Sequence, residues 1–179
     1  MVNKRGAYAL RISGLGEGEH HFSFELDQEF FESFNHPDVQ NGKIRAGLIL
    51  EKKPGFMAIH FTFQGELEVA CDRCLDYFMT QINTRQTIFV KVGETPGELE
   101  DDVIMIGKDD HEIEVGQLIF EYIILSLSVQ RVHPEDASGH STCNPEMLKR
   151  LKDLNPEIQP GRENTDPRWD ALKDIIEKN

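Results

Sequence analysis

Cysteine is scarce in this chain: only Cys71, Cys74 and Cys143 occur among 179 residues. An odd count argues against a secreted disulfide framework, and a chain this long can bury a core without covalent staples. Long apolar runs are missing as well. No window approaches the roughly 18 apolar residues of a membrane span, and the opening MVNKRGAYALRISGL has no apolar stretch of the kind a secretory signal requires. These absences make the cytoplasm the expected location, with no membrane partner. Positive charge is also in deficit, with 19 Lys+Arg against 32 Asp+Glu and a formal charge of −13. Nucleic-acid affinity comes largely from neutralising phosphates, so such a chain suits a basic partner better than a bare polyanion. No phosphate-binding glycine loop, dinucleotide fingerprint, nucleophile elbow or H-E-x-x-H occurs. Neither enzymatic activity nor a small-molecule substrate is therefore expected.

The first half of the sequence is rich in two-residue periodicity. Tyr8, Leu10 and Ile12 share one face of an extended segment, as do Phe22, Phe24 and Leu26 after a glycine-rich turn. Asp27 is placed to cap a short helix carrying Phe30, Phe31 and Phe34, which ends before His36-Pro37. Ile44, Ala46, Leu48 and Leu50 alternate next, and Lys52-Lys53-Pro54-Gly55 makes a turn. The longest strand follows, with Ile59, Phe61, Phe63, Gly65, Leu67 and Val69 on one side. It ends at Cys71-Asp72-Arg73-Cys74, and residues 75–92 return as its hairpin partner. Residues 93–102 read as an acidic loop and residues 103–106 as a short apolar strand.

The period then changes. Val115, Leu118, Ile119, Tyr122 and Ile123 fall at helical spacing, predicting a buried helix over about residues 115–127. Asn144-Pro145-Glu146 opens a further helix, and Asp166-Pro167 another, after a linker with two prolines and a glycine. The expected fold is α+β: a curved antiparallel β-sheet, barrel-like if its edges meet, with one buried helix and C-terminal helices. The expected domain spans residues 1–154, with a linker and an amphipathic helix over 155–179.

Three chemistries compete for the cysteine pair. Cys71 and Cys74 can bite a zinc ion with two thiolates, and a hairpin bend is a usual place for such a knuckle. One pair fills half of a tetrahedral site, leaving Cys143 with His133 or His140 as candidate further ligands and zinc as the candidate cofactor. A redox pair would open a helix after a strand, whereas here a strand follows. The plainest alternative is a pair of half-buried thiols capping the bend. Asp101, Asp102, Asp109, Asp110 and Glu112 could hold magnesium for an RNA-processing enzyme, yet acidic runs in such a protein are usually solvated loops. Trp169, Leu172 and Ile176 form a stripe that either packs on its own domain or enters a partner groove. Lys149, Arg150, Lys152, Arg73 and Arg85 are the candidates for a local RNA-binding patch.

The alternating strand ending in Cys71-Asp72-Arg73-Cys74-Leu75, the apolar segment over 116–127 and the closing Asp166-Pro167-Arg168-Trp169-Asp170-Ala171-Leu172 occur in that order. This arrangement resembles the YceD family, the large ribosomal RNA subunit accumulation proteins. Cys71, Arg73, Cys74 and Leu75 match the family's cysteine motif, and Asp166, Pro167, Arg168 and Leu172 the terminal one. The resemblance implies a non-enzymatic factor in large ribosomal subunit biogenesis, supporting synthesis, processing or accumulation of 23S ribosomal RNA. Its implied partners are a large-subunit ribosomal protein or ribosomal RNA, met through Arg73, Asp166, Arg168 and Trp169. Some family members carry a second cysteine cluster between the motifs, where this chain has only Cys143 with His133 and His140 nearby. A zinc-binding structural or nucleic-acid adaptor is the alternative function.

Overall fold

The computed structural model describes residues 7–93, 97–100 and 102–154. Those up to Cys143 belong to one compact unit, and a second unit begins at Asn144. In the first unit, β1 (Ala9–Arg11) and β2 (Gly18–Leu26) lead into a short helix α1 (Gln28–Ser33). The Asp27 side chain caps α1 by accepting the Phe30 N–H at 3.3 Å, which satisfies one of the helix's orphan donors. Three long strands follow: β3 (Val39–Lys53), β4 (Phe56–Ala70) and β5 (Tyr77–Gly93). The turn between β3 and β4 is Pro54-Gly55, with Gly55 at φ +85°, a conformation glycine adopts without penalty. Next come β6 (Gly97–Glu100), β7 (Val103–Gly107), β8 (Glu112–Glu114) and helix α2 (Gly116–Leu125).

The main sheet has six strands in the order β2-β3-β4-β5-β7-β6 and is open, with β2 and β6 at its ends, so no barrel closes. The pairing is antiparallel except between β5 and β7, where Phe89 to Gly93 run parallel to Val103 to Gly107. The segment read as an acidic loop contains β6, whose register against β7 breaks between Glu98 and Glu100. Its four residues, Gly-Glu-Leu-Glu, are too short and too polar to give an apolar alternation to read.

Alternation makes one sheet face apolar, as the two-residue period requires. Ile44, Ala46, Leu48 and Leu50 of β3 meet Phe61, Phe63, Ile59 and Leu67 of β4 and Ile82, Ile88 and Val90 of β5 in one buried cluster. The ribbon of β1 and β8, with Leu10 opposite Ile113, joins it, as do Ile119, Phe120 and Ile123 of α2. Aromatic contacts fasten the helices: Phe34 stacks on Phe120 at 4.1 Å, and Tyr122 meets Phe61 edge-on at 5.5 Å. Val92, which shares the parity of Ile88 and Val90, is exposed near the end of β5.

The second unit contributes helix α3 (Pro145–Leu154), capped by Asn144, whose side chain accepts the Glu146 N–H at 3.1 Å. The expected helix after Asp166 lies outside the described residues.

A Cys3His candidate metal centre

The strand period delivers the first two ligands. β4 and β5 pair in unbroken register from Phe56↔Lys91 to Ala70↔Tyr77, so the chain must reverse within residues 71–76. It does so as a knuckle: the Cys71 N–H donates to the Asp76 carbonyl at 3.0 Å and the Leu75 N–H to the Cys71 carbonyl at 2.9 Å. Leu75 adopts φ +65°, the left-handed conformation that a non-glycine residue takes at a cost of about 1–2 kcal/mol. This reversal turns both cysteine side chains inward, and both are buried.

The other two ligands come from a loop folded back on itself. Asp136 accepts the N–H groups of Ser138 and His140 on one carboxylate oxygen at 2.8 and 2.9 Å. The Thr142 hydroxyl donates to the Pro134 carbonyl at 2.7 Å, and Glu135 bridges Ser141. The small loop closes so that Cys143 returns beside His133. The four ligand atoms of Cys71, Cys74, His133 and Cys143 all lie within 4.8 Å of one another. The edges are 3.7 Å for Cys71 Sγ to Cys143 Sγ, 3.4 Å for Cys74 Sγ to His133 Nδ1, and 3.8 Å for Cys143 Sγ to His133 Nδ1. Around a tetrahedral zinc with bonds of about 2.3 Å to sulfur and about 2.0 Å to nitrogen, sulfurs lie roughly 3.8 Å apart and sulfur from nitrogen roughly 3.6 Å. The fit is close, and the donor set is a known structural combination.

His140, the alternative to His133 in the sequence, lies elsewhere: its exposed ring faces the Asp136 carboxylate at 3.6 Å. The ring of His133 is seated against Phe78 of β5, with centroids 4.8 Å apart, which leaves Nδ1 toward the thiols. Burial pushes the Cys71 thiol pKa up. N–H donation from Cys74 and Arg73 to its sulfur, together with contacts to His133, outweighs that and brings it down to about 6. The Arg73 N–H to Cys71 Sγ distance is 3.4 Å. A thiolate is the form that ligates metal.

Arg131 holds the two halves of the centre together, and no signal in the sequence pointed to it. Its backbone and that of Asp72 are joined by the Asp72 N–H donating to the Arg131 carbonyl at 2.7 Å. The Arg131 N–H donates to Asp72 Oδ2 at 2.7 Å, and its guanidinium reaches Asp72 Oδ1 at 3.0 Å and Asp38 Oδ2 at 3.1 Å. These contacts fix residues 131–133 against the knuckle. Asp72 is held below the usual carboxylate range by the Arg131 N–H first; burial opposes this as the next largest effect, and the guanidinium's hydrogen bond and charge add to the lowering.

The remaining candidates are dispersed. Asp110 closes the turn after β7 by accepting the Gly107 N–H at 2.7 Å, and the Asp102 carbonyl accepts the Phe89 N–H at 2.8 Å. Among the described residues the acids Asp102, Asp109, Asp110 and Glu112 form no group of metal-ligating side chains, and Asp101 lies outside them. Arg73 and Arg85 are exposed on the first unit, and Lys149, Arg150 and Lys152 are exposed on α3. Asp166, Arg168 and Trp169 also lie outside the described residues. No described helix is long and apolar enough to cross a membrane.

No curated protein and no solved structure matches the chain at a significant level. Residues 59–176, from β4 through the knuckle to the terminal D-P-R motif, match the family model described as large ribosomal RNA subunit accumulation protein YceD, and the chain therefore belongs to the YceD family.

Proposed function

We propose that this chain is a cytoplasmic, non-enzymatic factor that supports 23S ribosomal RNA accumulation by binding a large-subunit ribosomal protein or precursor RNA. Zinc held by Cys71, Cys74, His133 and Cys143 keeps its binding surface in shape. The observation that carries the ribosomal role is the family match over residues 59–176. The zinc is supported by four ligand atoms from two segments about sixty residues apart meeting at tetrahedral spacing. Zinc here is structural in kind. Four protein ligands leave no open position for water or substrate, so the ion would cross-link the β4–β5 knuckle to the 133–143 loop. Family membership and ligand geometry are compatible with each other, since a cross-linked knuckle is a rigid platform for a partner.

The test is a tagged pull-down of the full chain from native lysate, with and without ribonuclease. Large-subunit ribosomal proteins retained after ribonuclease are the expected result. Their loss with ribonuclease would assign the contact to RNA. No ribosomal enrichment in either arm would contradict the proposal.

A further inference from the structure

β5 is 17 residues long, yet β7 covers it only from Phe89 to Gly93. The Phe89 N–H points to the β7 side, toward the Asp102 carbonyl. In a regular strand alternate residues aim their backbone groups at the same side, and β5 is regular, pairing with β4 without a bulge. The N–H and C=O groups of Met79, Gln81, Asn83, Arg85 and Thr87 therefore project along the uncovered edge. Among the described residues none of them has a backbone partner on that side.

Natural sheets protect such an edge with charged side chains, proline, bulges or brevity. β2, at the far end of the sheet, follows that rule with Glu19, His20, His21 and Glu25. β5 does not: from Tyr77 to Ile88 it has no proline, no bulge and one charge, Arg85. Its start exposes apolar surface instead, with Met79 at 48% and Tyr77 at 40%, next to Leu75 of the knuckle at 68%. Beside the start of the edge, at Phe78 and Thr80, lies a shallow cleft lined in part by Val69, Leu127 and Val132 and in part by polar residues that include Arg131. The outer face next to it carries two glutamates beside the edge, with Lys43 of β3 on the far side of Glu66 and Arg85 further along the same row of β5. Glu68 and Glu66 of β4 stand opposite Met79 and Gln81, and neither is in a described ion pair.

We propose that the β5 edge from Met79 to Thr87 is a strand-addition site. Its occupant is an extended segment of a basic protein, with apolar side chains facing the cleft and Lys or Arg facing Glu66 and Glu68. Backbone pairing supplies the affinity and the two side-chain rows supply the choice of partner. Charge selects protein over RNA, because a chain of net charge −13 repels phosphates while attracting a basic strand. The proposal goes beyond the ribosomal reading and does not depend on it, since it concerns only what this edge accepts.

The test uses the full, metal-replete chain and synthetic nine-residue probes: alternating valine and lysine, alternating valine and glutamate, and the valine–lysine peptide N-methylated at alternate amides. Amide exchange is read residue by residue by NMR. The valine–lysine probe is expected to slow the amides of Met79, Gln81, Asn83, Arg85 and Thr87 tenfold or more, and the other two are not. Met79→Lys, a change at an exposed side chain, and Asn83→Pro, which removes an outward N–H, should each weaken probe binding about tenfold while the melting temperature of Met79→Lys stays unchanged. Three results would overturn the proposal: no slowing by the basic probe, equal slowing by the methylated probe, or edge amides already protected in the free chain, by itself or by a second copy.

Discussion

At the scale of residues, the centre depends on two kinds of side chain that fail differently. Cys71→Ser removes a thiolate from a buried four-ligand set. The account predicts a fall from one zinc per chain to below about a tenth at equal free zinc, with a lowered but cooperative melt, because the sheet core is built independently of the knuckle. Plasma mass spectrometry and thermal denaturation read the two effects separately. Arg131 touches no ligand atom and acts by holding Asp72 and Asp38. Its side chain is 23% exposed, so the direct loss of stability in Arg131→Ala should be modest, about 1 kcal/mol. Zinc affinity should fall about 10–100-fold, the range for groups that orient metal ligands, as measured by competition with a chromogenic chelator. Arg131→Lys keeps charge without the two-pronged guanidinium and should recover only part of it.

The cysteine pair was plain in the sequence because its C-x-x-C spacing is local. Selecting His133 over His140 was not, since both sit seven residues apart in one polar loop and only the Asp136 turn separates their directions. The Arg131 clamp was out of reach, because its partners are 59 and 93 residues away.

At the scale of elements, two glycines on adjacent strands make opposite predictions. Gly65 of β4 lies at φ +154°, and a methyl group there would collide with the backbone of Lys43 and Ile44 across the ladder. Gly65→Ala should destabilise the sheet by about 2–4 kcal/mol, as strain at a special backbone position does. Gly47 of β3 has no such conformation, and an added Cβ there would meet only the Thr62 carbonyl at 4.0 Å. Gly47→Ala should change stability by less than about 1 kcal/mol, in the stabilising direction, since it mainly restricts the unfolded chain. Urea midpoints of the two variants check the contrast. The strands β2 to β5 and helix α2 were legible because alternation and the 3.6-residue period are local records of which face is buried. β6 and the parallel pairing of β5 with β7 were not, since a four-residue acidic strand shows no alternation and a backbone ladder's direction leaves no mark in side-chain polarity.

At the scale of the whole molecule, the acidic balance sets how a partner is met. Attraction between a chain of net charge −13 and a basic protein is long-range and screened within about 8 Å at physiological ionic strength. Association measured by stopped flow should slow several-fold between 50 and 300 mM salt, with dissociation changing less. An RNA-led contact through the exposed cations of α3 would instead be lost when Lys149, Arg150 and Lys152 are reversed to Glu. Composition pointed to a basic partner but not to a surface, because a charge total carries no position. The uncovered β5 edge, which topology alone reveals, supplies one.

The most direct measurement is X-ray absorption at the zinc edge on the full chain purified without added chelator. The account predicts about one zinc per chain, with three sulfur neighbours near 2.3 Å and one nitrogen near 2.0 Å. A chain that takes up no zinc when it is supplied, or holds it through oxygen and nitrogen alone, would contradict the Cys71, Cys74, His133 and Cys143 centre.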